Sequence, residues 1–314
     1  MKYCCILMSL FFLCRCCAQD IRRQLTSGSF AYILQADGLG DRAKALKQLT
    51  TCKRSTLIID YSFDGTHKHR WTVDEIIQLK RTHIVLAYMS IGEAERYRYY
   101  WNSQWDLDNN GVPDEAAPTF LCSENPDWGG NYRVKYWQKE WQKLIVNYLA
   151  FIQAQGFDGV YLDIIDAFEG FELDNGTWVD DRINQETGNS YRKDMIKWVS
   201  AIAKNARETQ KTFLIVPQNG LQLLDHPEYL DVISGVGVES LFAEGNVKRP
   251  QEEIADRLKY LDNAKAKPVL STDYSTDKRL KRWVWKQAQA NSFSQLITKR
   301  ELDALGETHP RKLR

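Results

Sequence analysis

The sequence predicts an α/β fold, a single-domain (β/α)8 TIM barrel, and three observations support this prediction. Eight short apolar segments alternate with segments of helical periodicity along the 314 residues. Acidic residues recur directly after the apolar segments, at the end where parallel α/β folds form their ligand sites. No Pro- or Gly-rich linker divides the chain, so one barrel over residues 19–314 is expected.

The predicted strands are runs of apolar and β-branched residues bounded by turn-forming residues. They are Phe30–Leu34, Thr56–Asp60, Ile84–Met89, Gly159–Asp163, Phe213–Pro217, Gly235–Glu239, Pro268–Thr272 and Phe293–Ile297. Helical periodicity fills intervening segments such as Trp137–Gln153, Arg192–Arg207 and Gln251–Leu261. Eight such units in a chain of this length favour a closed barrel over an open doubly wound sheet. The longest predicted loop, Gly92–Tyr132, follows the third strand and is expected to be functional.

The charge composition disfavours two classes of partner. Lys and Arg number 42 against 41 Asp and Glu, so the chain carries no basic footprint for nucleic acid. The same balance gives no reason to expect binding at an anionic membrane surface. The partner must therefore be inferred from the arrangement of acids and aromatic residues.

The first eighteen residues predict a secretory signal peptide. A basic residue near the start precedes the apolar run Cys4–Leu13, and small residues lead to a cleavage site after Ala18. The run is too short to span a bilayer comfortably, so a secreted or extracytoplasmic protein is predicted. Acylation of Cys16 or Cys17, giving a lipid-anchored form, is disfavoured because Arg15 interrupts the lipoprotein pattern.

Cysteine usage leaves one question open. Five of the seven cysteines lie within the predicted signal peptide, so only Cys52 and Cys122 remain. In an oxidising compartment these two could form a disulfide, but sequence does not place their Cα atoms within bridging distance. Two separate thiols are the equal alternative.

Acids at the predicted strand ends point to a carboxylate-based active site. They are Asp60, Asp64, Glu93, Asp163, Asp166, Glu239 and Asp273. Clustered carboxyl groups push each other's pKa values apart, so one can remain protonated while another is ionised. Glycoside hydrolysis requires this division of roles. Asp163 and Glu239 each end a predicted strand and are the predicted catalytic pair, with Glu239 as acid/base and Asp163 as nucleophile.

Further residues near the strand ends are candidates for substrate binding. Carboxylates and amides bond to sugar hydroxyl and amino groups, and aromatic faces stack on sugar rings. The predicted substrate-binding residues are Asp60, Tyr88, Glu93, Tyr161, Asp166, Asn219 and Asp273.

Two segments suggest a metal. Residues Asp106, Asp108, Asn110, Gly111 and Asp114 match positions 1, 3, 5, 6 and 9 of a calcium loop, although Ala117 occupies position 12. A structural Ca²⁺ site and a solvated acidic turn are both compatible with this partial match. His67 and His69 raise the alternative of a metal-dependent hydrolase, which five histidines in a whole chain do not favour. No other cofactor is expected.

Several motifs together resemble a known family. They are Ile58–Ser62, Val85–Arg98, Tyr136-Trp137 with Trp141, Gly156–Asp166, Pro217–Gly220 and Gly237–Phe242. In order and spacing they resemble the GH114-type glycoside hydrolases, described as endo-α-1,4-polygalactosaminidases, and related secreted barrel proteins once labelled cysteinyl-tRNA synthetase-like. The resemblance implies a (β/α)8 barrel, an extracellular role on galactosamine-containing polysaccharide, and catalysis by Asp163 and Glu239.

The segment Asp106–Glu115 departs from the shorter family pattern and falls where substrate is expected to bind. This departure bears on the substrate rather than on the fold. A carbohydrate-binding barrel without catalysis is the competing hypothesis, because sugar binding requires the aromatic residues but not a matched acid pair.

Overall fold

The computed structural model describes Leu25 and residues 28–308. The predicted signal peptide at residues 1–18 lies outside the described residues. Within the described part, no helix combines the length and the hydropathy needed to cross a membrane.

All eight predicted strands are present, with bounds within two residues of those predicted. They are β1 (Phe30–Ile33), β2 (Thr56–Asp60), β3 (Ile84–Ser90), β4 (Gly159–Asp163), β5 (Leu214–Pro217), β6 (Val236–Glu239), β7 (Val269–Asp273) and β8 (Ser294–Ile297). Neighbouring strands pair in parallel in the sheets β1-β2-β3-β4-β5 and β6-β7-β8. The prediction of an α/β fold built on parallel strands in chain order is therefore confirmed.

The strand pairing expected for a closed barrel is interrupted at two places. One isolated parallel bridge, between Gln218 and Gly237, joins β5 to β6. Between β8 and β1 no backbone ladder forms among the described residues. Instead the Ser294 hydroxyl donates to the carbonyl of Gly28 at 2.9 Å. A short strand, Glu307–Thr308, pairs antiparallel with β8. The predicted continuous eight-stranded closure is thus not observed in the backbone pairing.

Eight α-helices lie in the described part of the chain. They are α1 (Arg42–Thr51), α2 (Val73–Lys80), α3 (Lys139–Gln155), α4 (Ala167–Glu172), α5 (Tyr191–Thr209), α6 (Pro227–Val232), α7 (Gln251–Asn263) and α8 (Lys278–Ala290). Local signals fix several ends. Thr72 and Glu75 form a reciprocal capping box at the start of α2, and Gly156 ends α3 in the left-handed conformation.

The core has an inner and an outer layer because strand side chains alternate between the two faces of the sheet. The inner layer, enclosed by the strands, includes Phe30, Tyr32, Ile58, Leu86, Tyr88, Tyr161, Val216, Leu270 and Leu296. The outer layer, between strands and helices, includes Ala31, Ile33, Leu57, Ile59, Val85 and Ala87. Burial on both faces explains why the strands read as nearly continuous apolar runs.

The predicted long loop after β3 is partly ordered as a three-stranded antiparallel sheet. Its strands are Glu93–Glu95, Leu121–Glu124 and Asn131–Val134, with the last in the middle. Most of its aromatic residues pack on one another; the Trp101 and Tyr132 ring centroids lie 4.6 Å apart, and Tyr132 is fully buried. Few of these aromatic side chains are therefore free to stack on a sugar.

Cys52 and Cys122 are separate, half-buried thiols. Each Sγ lies near a backbone carbonyl of its own segment, Leu49 for Cys52 and Phe120 for Cys122. The structure therefore agrees with the second alternative, in which Cys52 and Cys122 are not joined by a disulfide.

Candidate active site

A cavity of about 580 Å³ opens where the parallel strands end, as parallel α/β folds lead one to expect. Loops following seven of the eight strands contribute to its wall, and β6 contributes its last residue, Glu239. Eight carboxyl groups line it: Asp37, Asp60, Asp64, Glu95, Asp163, Asp166, Glu239 and Glu301. The residues lining the cavity include both members of the predicted catalytic pair.

Asp163 is the last residue of β4, and its carboxylate accepts three hydrogen bonds. Tyr88 Oη donates to Oδ2 at 2.9 Å, while Gln218 Nε2 and the backbone NH of Ile164 donate to Oδ1 at 3.1 and 2.8 Å. Tyr88 faces Asp163 because β3 and β4 are neighbours, with Ser90 in register with Asp163. Three donors to one carboxylate favour its ionised form.

Glu239 is the last residue of β6 and is held by two contacts. Tyr274, which directly follows β7, donates its hydroxyl to Glu239 Oε1. The backbone NH of Glu239 donates to Asn219 Oδ1 at 3.1 Å, so Asn219 fixes the end of the strand. Glu239 and Asp163 thus enter the cavity from different strands, each with its own tyrosine partner.

Burial raises the pKa values of both carboxyl groups. Burial raises the pKa of Asp163 to about 6, although the Ile164 NH and the Tyr88 hydroxyl oppose the shift. Burial, followed by the charge of Asp163, raises the pKa of Glu239 to about 7. Around neutral pH the pair therefore favours an ionised Asp163 beside a Glu239 that retains much of its proton.

Asp166 provides a third carboxyl group in the cavity wall. Burial, the charge of Glu169 and the charge of Asp163 together raise its pKa to about 8. At neutral pH this side chain is mostly protonated, so it can donate a hydrogen bond.

Three of the eight non-glycine residues with positive φ in the described part of the chain lie beside these acids. Ile164, directly after Asp163, has φ of 56°, and Ser240, directly after Glu239, has φ of 48°. Asn219 has φ of 61°. Side chains other than glycine adopt this region at a cost, and a β-branched isoleucine rarely does so. Strain of this kind persists where the surroundings impose it, as they do at active sites.

Asp60 lies in the cavity wall, but its carboxylate already forms an ion pair within the protein. Its Oδ2 pairs with Arg98 Nη2 at 2.6 Å, and Arg98 also pairs with Glu95 at 2.7 Å; all three side chains are buried. Burial raises the pKa of Asp60 despite the opposing charge of Arg98. Tyr97 donates its hydroxyl to Glu95, so this network stiffens one side of the cavity.

Three predicted substrate-binding residues do not line the cavity. Glu93 is buried and accepts from Asn125 Nδ2 at 2.8 Å, while Glu95, two residues on, reaches the wall. Tyr161 is fully buried beneath the pair, 5.2 Å from the Tyr32 ring. Asp273 is fully buried and accepts from the NH groups of Phe242 and Ala243 and from Gln295. The structure corrects the prediction that Glu93, Tyr161 and Asp273 bind substrate, because their buried side chains leave no surface for a sugar to contact.

The other predicted substrate-binding residues do line the cavity, namely Asp60, Tyr88, Asp166 and Asn219. Sequence reasoning missed Glu95, Gln218, Tyr274 and Arg300. A signal existed for Tyr274: side chains alternate along a strand, so Tyr274 and its neighbour Asp273 lie on opposite faces, and Tyr274 faces the mouth. For Gln218 the signal was its position between Pro217 and Asn219 at the end of β5.

The two histidines lie apart from the acid pair. His67 packs against the rings of Tyr99 and Phe151, and His69 Nδ1 bonds to Asp64 Oδ2 at 2.5 Å. Among the described residues, neither histidine belongs to a group of three or more side chains that could bind a metal ion together.

The predicted calcium loop brings part of its ligand set together. Carboxylate oxygens of Asp106, Asp108 and Asp114 lie within 4.8 Å of one another. Asp106 is buried and accepts from the NH of Gly111 and from Tyr132, while Asn110 bonds to Asp108. Calcium binding by this loop stays a prediction.

Comparison with solved structures places the fold. Ega3 of Aspergillus fumigatus, solved in complex with galactosamine, matches with a TM-score of 0.64 and 18% identity over 90% of this chain and 96% of that chain. The glycoside hydrolase domain of PelA from Pseudomonas aeruginosa matches with a TM-score of 0.59 and 17% identity over 89% and 97%. At these levels of sequence identity, the similarity is evidence for a shared fold.

Sequence comparison identifies the family. An uncharacterized protein of Methanocaldococcus jannaschii is 40% identical over 239 residues, which are 74% of this chain and 64% of that protein. This chain thus matches a little under two thirds of that relative's length. The model of glycoside-hydrolase family GH114 matches residues 22–314. The chain therefore belongs to glycoside hydrolase family GH114.

Proposed function

We propose that the protein is a glycoside hydrolase that cleaves within an amino-sugar polysaccharide, with Asp163 and Glu239 as its catalytic pair. The observation that carries this proposal is the placement of both carboxyl groups in one cavity, each ending a parallel strand and each held by a tyrosine. Membership of family GH114 supports the same reaction class.

The contacts of each carboxyl group suggest its role. Glu239, with a pKa near 7, retains a proton that it can donate to the leaving glycosidic oxygen. Asp163 accepts three hydrogen bonds that favour the anion, so it suits attack on the anomeric carbon or stabilisation of the oxocarbenium-like transition state. Protonated Asp166 is suited to donate a hydrogen bond to a sugar oxygen in the same cavity.

The excess of carboxyl groups in the cavity supports a substrate with amino groups. A partly deacetylated galactosamine polymer carries ammonium groups, and a cleft lined by one sign of charge concentrates the opposite charge. Ega3, whose fold this chain shares, was solved in complex with galactosamine. Galactosamine-containing polymer is therefore the favoured substrate.

We also propose that the strands close as a (β/α)8 TIM barrel with its seam between β8 and β1, and that the mature protein is secreted. The backbone NH groups of Leu34 and Gln35 donate to Leu302, so the segment after β8 lies along the end of β1. The pattern of residues 1–18 supports secretion.

Incubation of the purified protein with a panel of amino-sugar polymers, with reducing ends measured, tests the function. We expect new reducing ends from deacetylated galactosamine polymer and few from its fully acetylated form. Binding to the polymers without new reducing ends would instead favour the non-catalytic carbohydrate-binding barrel. Loss of hydrolysis on adding a chelator would favour a metal-dependent hydrolase.

A further inference from the structure

One cationic side chain lines the cavity, whose other charged side chains among the described residues are all acidic. Among the residues that the structure describes, Arg300 is the one Lys or Arg side chain in the wall, and it belongs to the loop that follows β8. Its side chain is 55% exposed, and its nearest carboxylate contact is Glu244 at 3.7 Å. That distance is too long for a hydrogen bond, so the contact with Glu244 leaves the NH donors of Arg300 available to a ligand in the cavity.

Two aromatic rings hold Arg300 in place. Its guanidinium carbon lies 5.1 Å from the Trp128 ring centroid and 5.9 Å from that of Tyr274. Such cation–π contacts orient the flat guanidinium group without using its NH donors. Trp128 lies in the turn between two strands of the sheet inserted after β3, and Tyr274 follows β7, so two separate loops fix one side chain.

The location of Arg300 relates it directly to the catalytic pair. Tyr274, which stacks against Arg300, is the residue whose hydroxyl bonds to Glu239. A sugar unit next to Glu239 therefore meets the guanidinium group. An ammonium group at that position is repelled, whereas a neutral oxygen acceptor gains a charge-assisted hydrogen bond.

We propose that Arg300 forms a subsite beside Glu239 that selects an N-acylated amino-sugar unit, through its carbonyl oxygen, over a unit with a free ammonium group. The inference rests on the proposed function and refines its substrate class. The polymer cleaved best carries mixed units: ammonium-bearing units bind along the acidic wall, and an N-acylated unit occupies the Arg300 subsite.

The acceptor is an amide carbonyl rather than the carboxylate of an acidic sugar. A carboxylate would also bond to Arg300, but it would enter a cavity with eight carboxyl groups in its wall. Repulsion from those groups that are ionised opposes an anion there, while a neutral carbonyl avoids the repulsion and keeps the hydrogen bond.

Galactosamine oligomers of equal length test the proposal. One set is fully deacetylated, one carries a single N-acetyl group at a defined unit, and one carries a uronic acid at that unit. We expect the wild-type protein to cleave the singly acetylated oligomer about tenfold more efficiently than the deacetylated one, because a hydrogen bond to a charged group is worth about tenfold or more. Mass spectrometry of the products should place the cut at a fixed distance from the acetylated unit.

Arg300→Ala should abolish the preference and randomise the position of the cut, and Trp128→Ala should weaken the preference by releasing the guanidinium. Lys299→Ala is the matched control, since it removes the same charge from the neighbouring residue, which pairs with Asp303 and does not line the cavity. It should retain the tenfold preference.

The outcomes separate this inference from the proposed function. Failure of the wild-type protein to cleave any oligomer would overturn the proposed function. Cleavage of all oligomers with equal efficiency, or a preference that persists in Arg300→Ala, would overturn the inference alone. A preference for the uronic acid oligomer would overturn the assignment of an amide carbonyl.

Discussion

Two tyrosine hydroxyls, those of Tyr88 and Tyr274, each bond to one carboxyl group of the pair. A hydroxyl that donates to a carboxylate stabilises its ionised form and lowers its pKa. Each tyrosine therefore opposes the upward shift that burial produces in its own partner. Removing either hydroxyl should alter the titration of one acid more than that of the other.

Activity should follow a narrow bell-shaped pH profile. It should fall below about pH 6 as Asp163 takes up a proton, and above about pH 7 as Glu239 loses one. Because the two groups interact, the limbs of the profile report the pair. Initial rates across pH 4–9 would measure both limbs; a flat profile across this range would contradict the assignment.

Tyr88→Phe and Tyr274→Phe should each shift one limb of the pH profile of activity. Loss of the Tyr88 hydroxyl raises the pKa of Asp163, so the acidic limb should move up by about one pH unit. Loss of the Tyr274 hydroxyl raises the pKa of Glu239, so the alkaline limb should move up by a similar amount. Tyr260→Phe, in helix α7 away from the cavity, is the control and should move neither. If each variant moved the opposite limb, the roles of the two acids would be exchanged.

At the scale of elements, β6 packs closely against Tyr161 of β4. A Cβ at Gly237 would stand 2.0 Å from Tyr161 Oη, so this strand position accepts only glycine. Gly237→Ala should lower the free energy of unfolding by about 1 to 3 kcal/mol, the usual range for overpacking a core. Denaturant melts would measure it. Gly129→Ala, where a Cβ meets open space, is the control; equal stability of the two variants would contradict the packing described for β6.

The acidic loop between Asp106 and Asp114 is the element whose ligand is untested. If it binds Ca²⁺, calcium should raise the melting temperature relative to a chelator, because a ligand that binds only the folded state stabilises it. Asp108→Ala, at an exposed ligand position, should remove that response. An identical melting temperature in calcium and in chelator would identify the segment as a solvated acidic turn.

At the scale of the whole molecule, the near-neutral net charge of +1 conceals an acidic cavity. Attraction between this cavity and an ammonium-bearing polymer weakens with salt, since the screening length is about 10 Å at 0.1 M. We expect kcat/KM on deacetylated polymer to fall several-fold between low and high salt, measured by reducing-end release. The same salt range should leave the thermal stability nearly unchanged; an activity independent of salt would contradict electrostatic attraction.

The strands were predictable from sequence because burial on both faces makes each one a recognisable apolar run. Asp163 and Glu239 were predictable for a related reason, since each follows such a run without a break. The direction in which each side chain points was harder to predict from the sequence. Asp273 and Glu93 also stand at strand ends, yet they turn into the protein, and Glu95 and Tyr274 take the places at the cavity.

Contacts between distant loops were not predictable at all. Arg98 reaches Asp60 from another loop, and Arg300 meets Trp128 across 172 positions of sequence. No local pattern encodes such pairs, because they depend on how loops of different lengths fold over the mouth of the strands. The gap between β8 and β1 is of the same kind, since it depends on the course of the chain after β8.

The central claim, catalysis by Asp163 and Glu239, is tested most directly by measuring reducing-end release and polymer binding for Asp163→Asn and Glu239→Gln. Each variant should lose at least about a hundredfold in kcat, within the range for a lost acid–base group, while binding the polymer within a few-fold of wild type. Asp231→Asn in α6 and Glu252→Gln in α7, both exposed, are the matched controls and should keep full activity. Retention of most of the activity by either Asp163→Asn or Glu239→Gln would contradict the account.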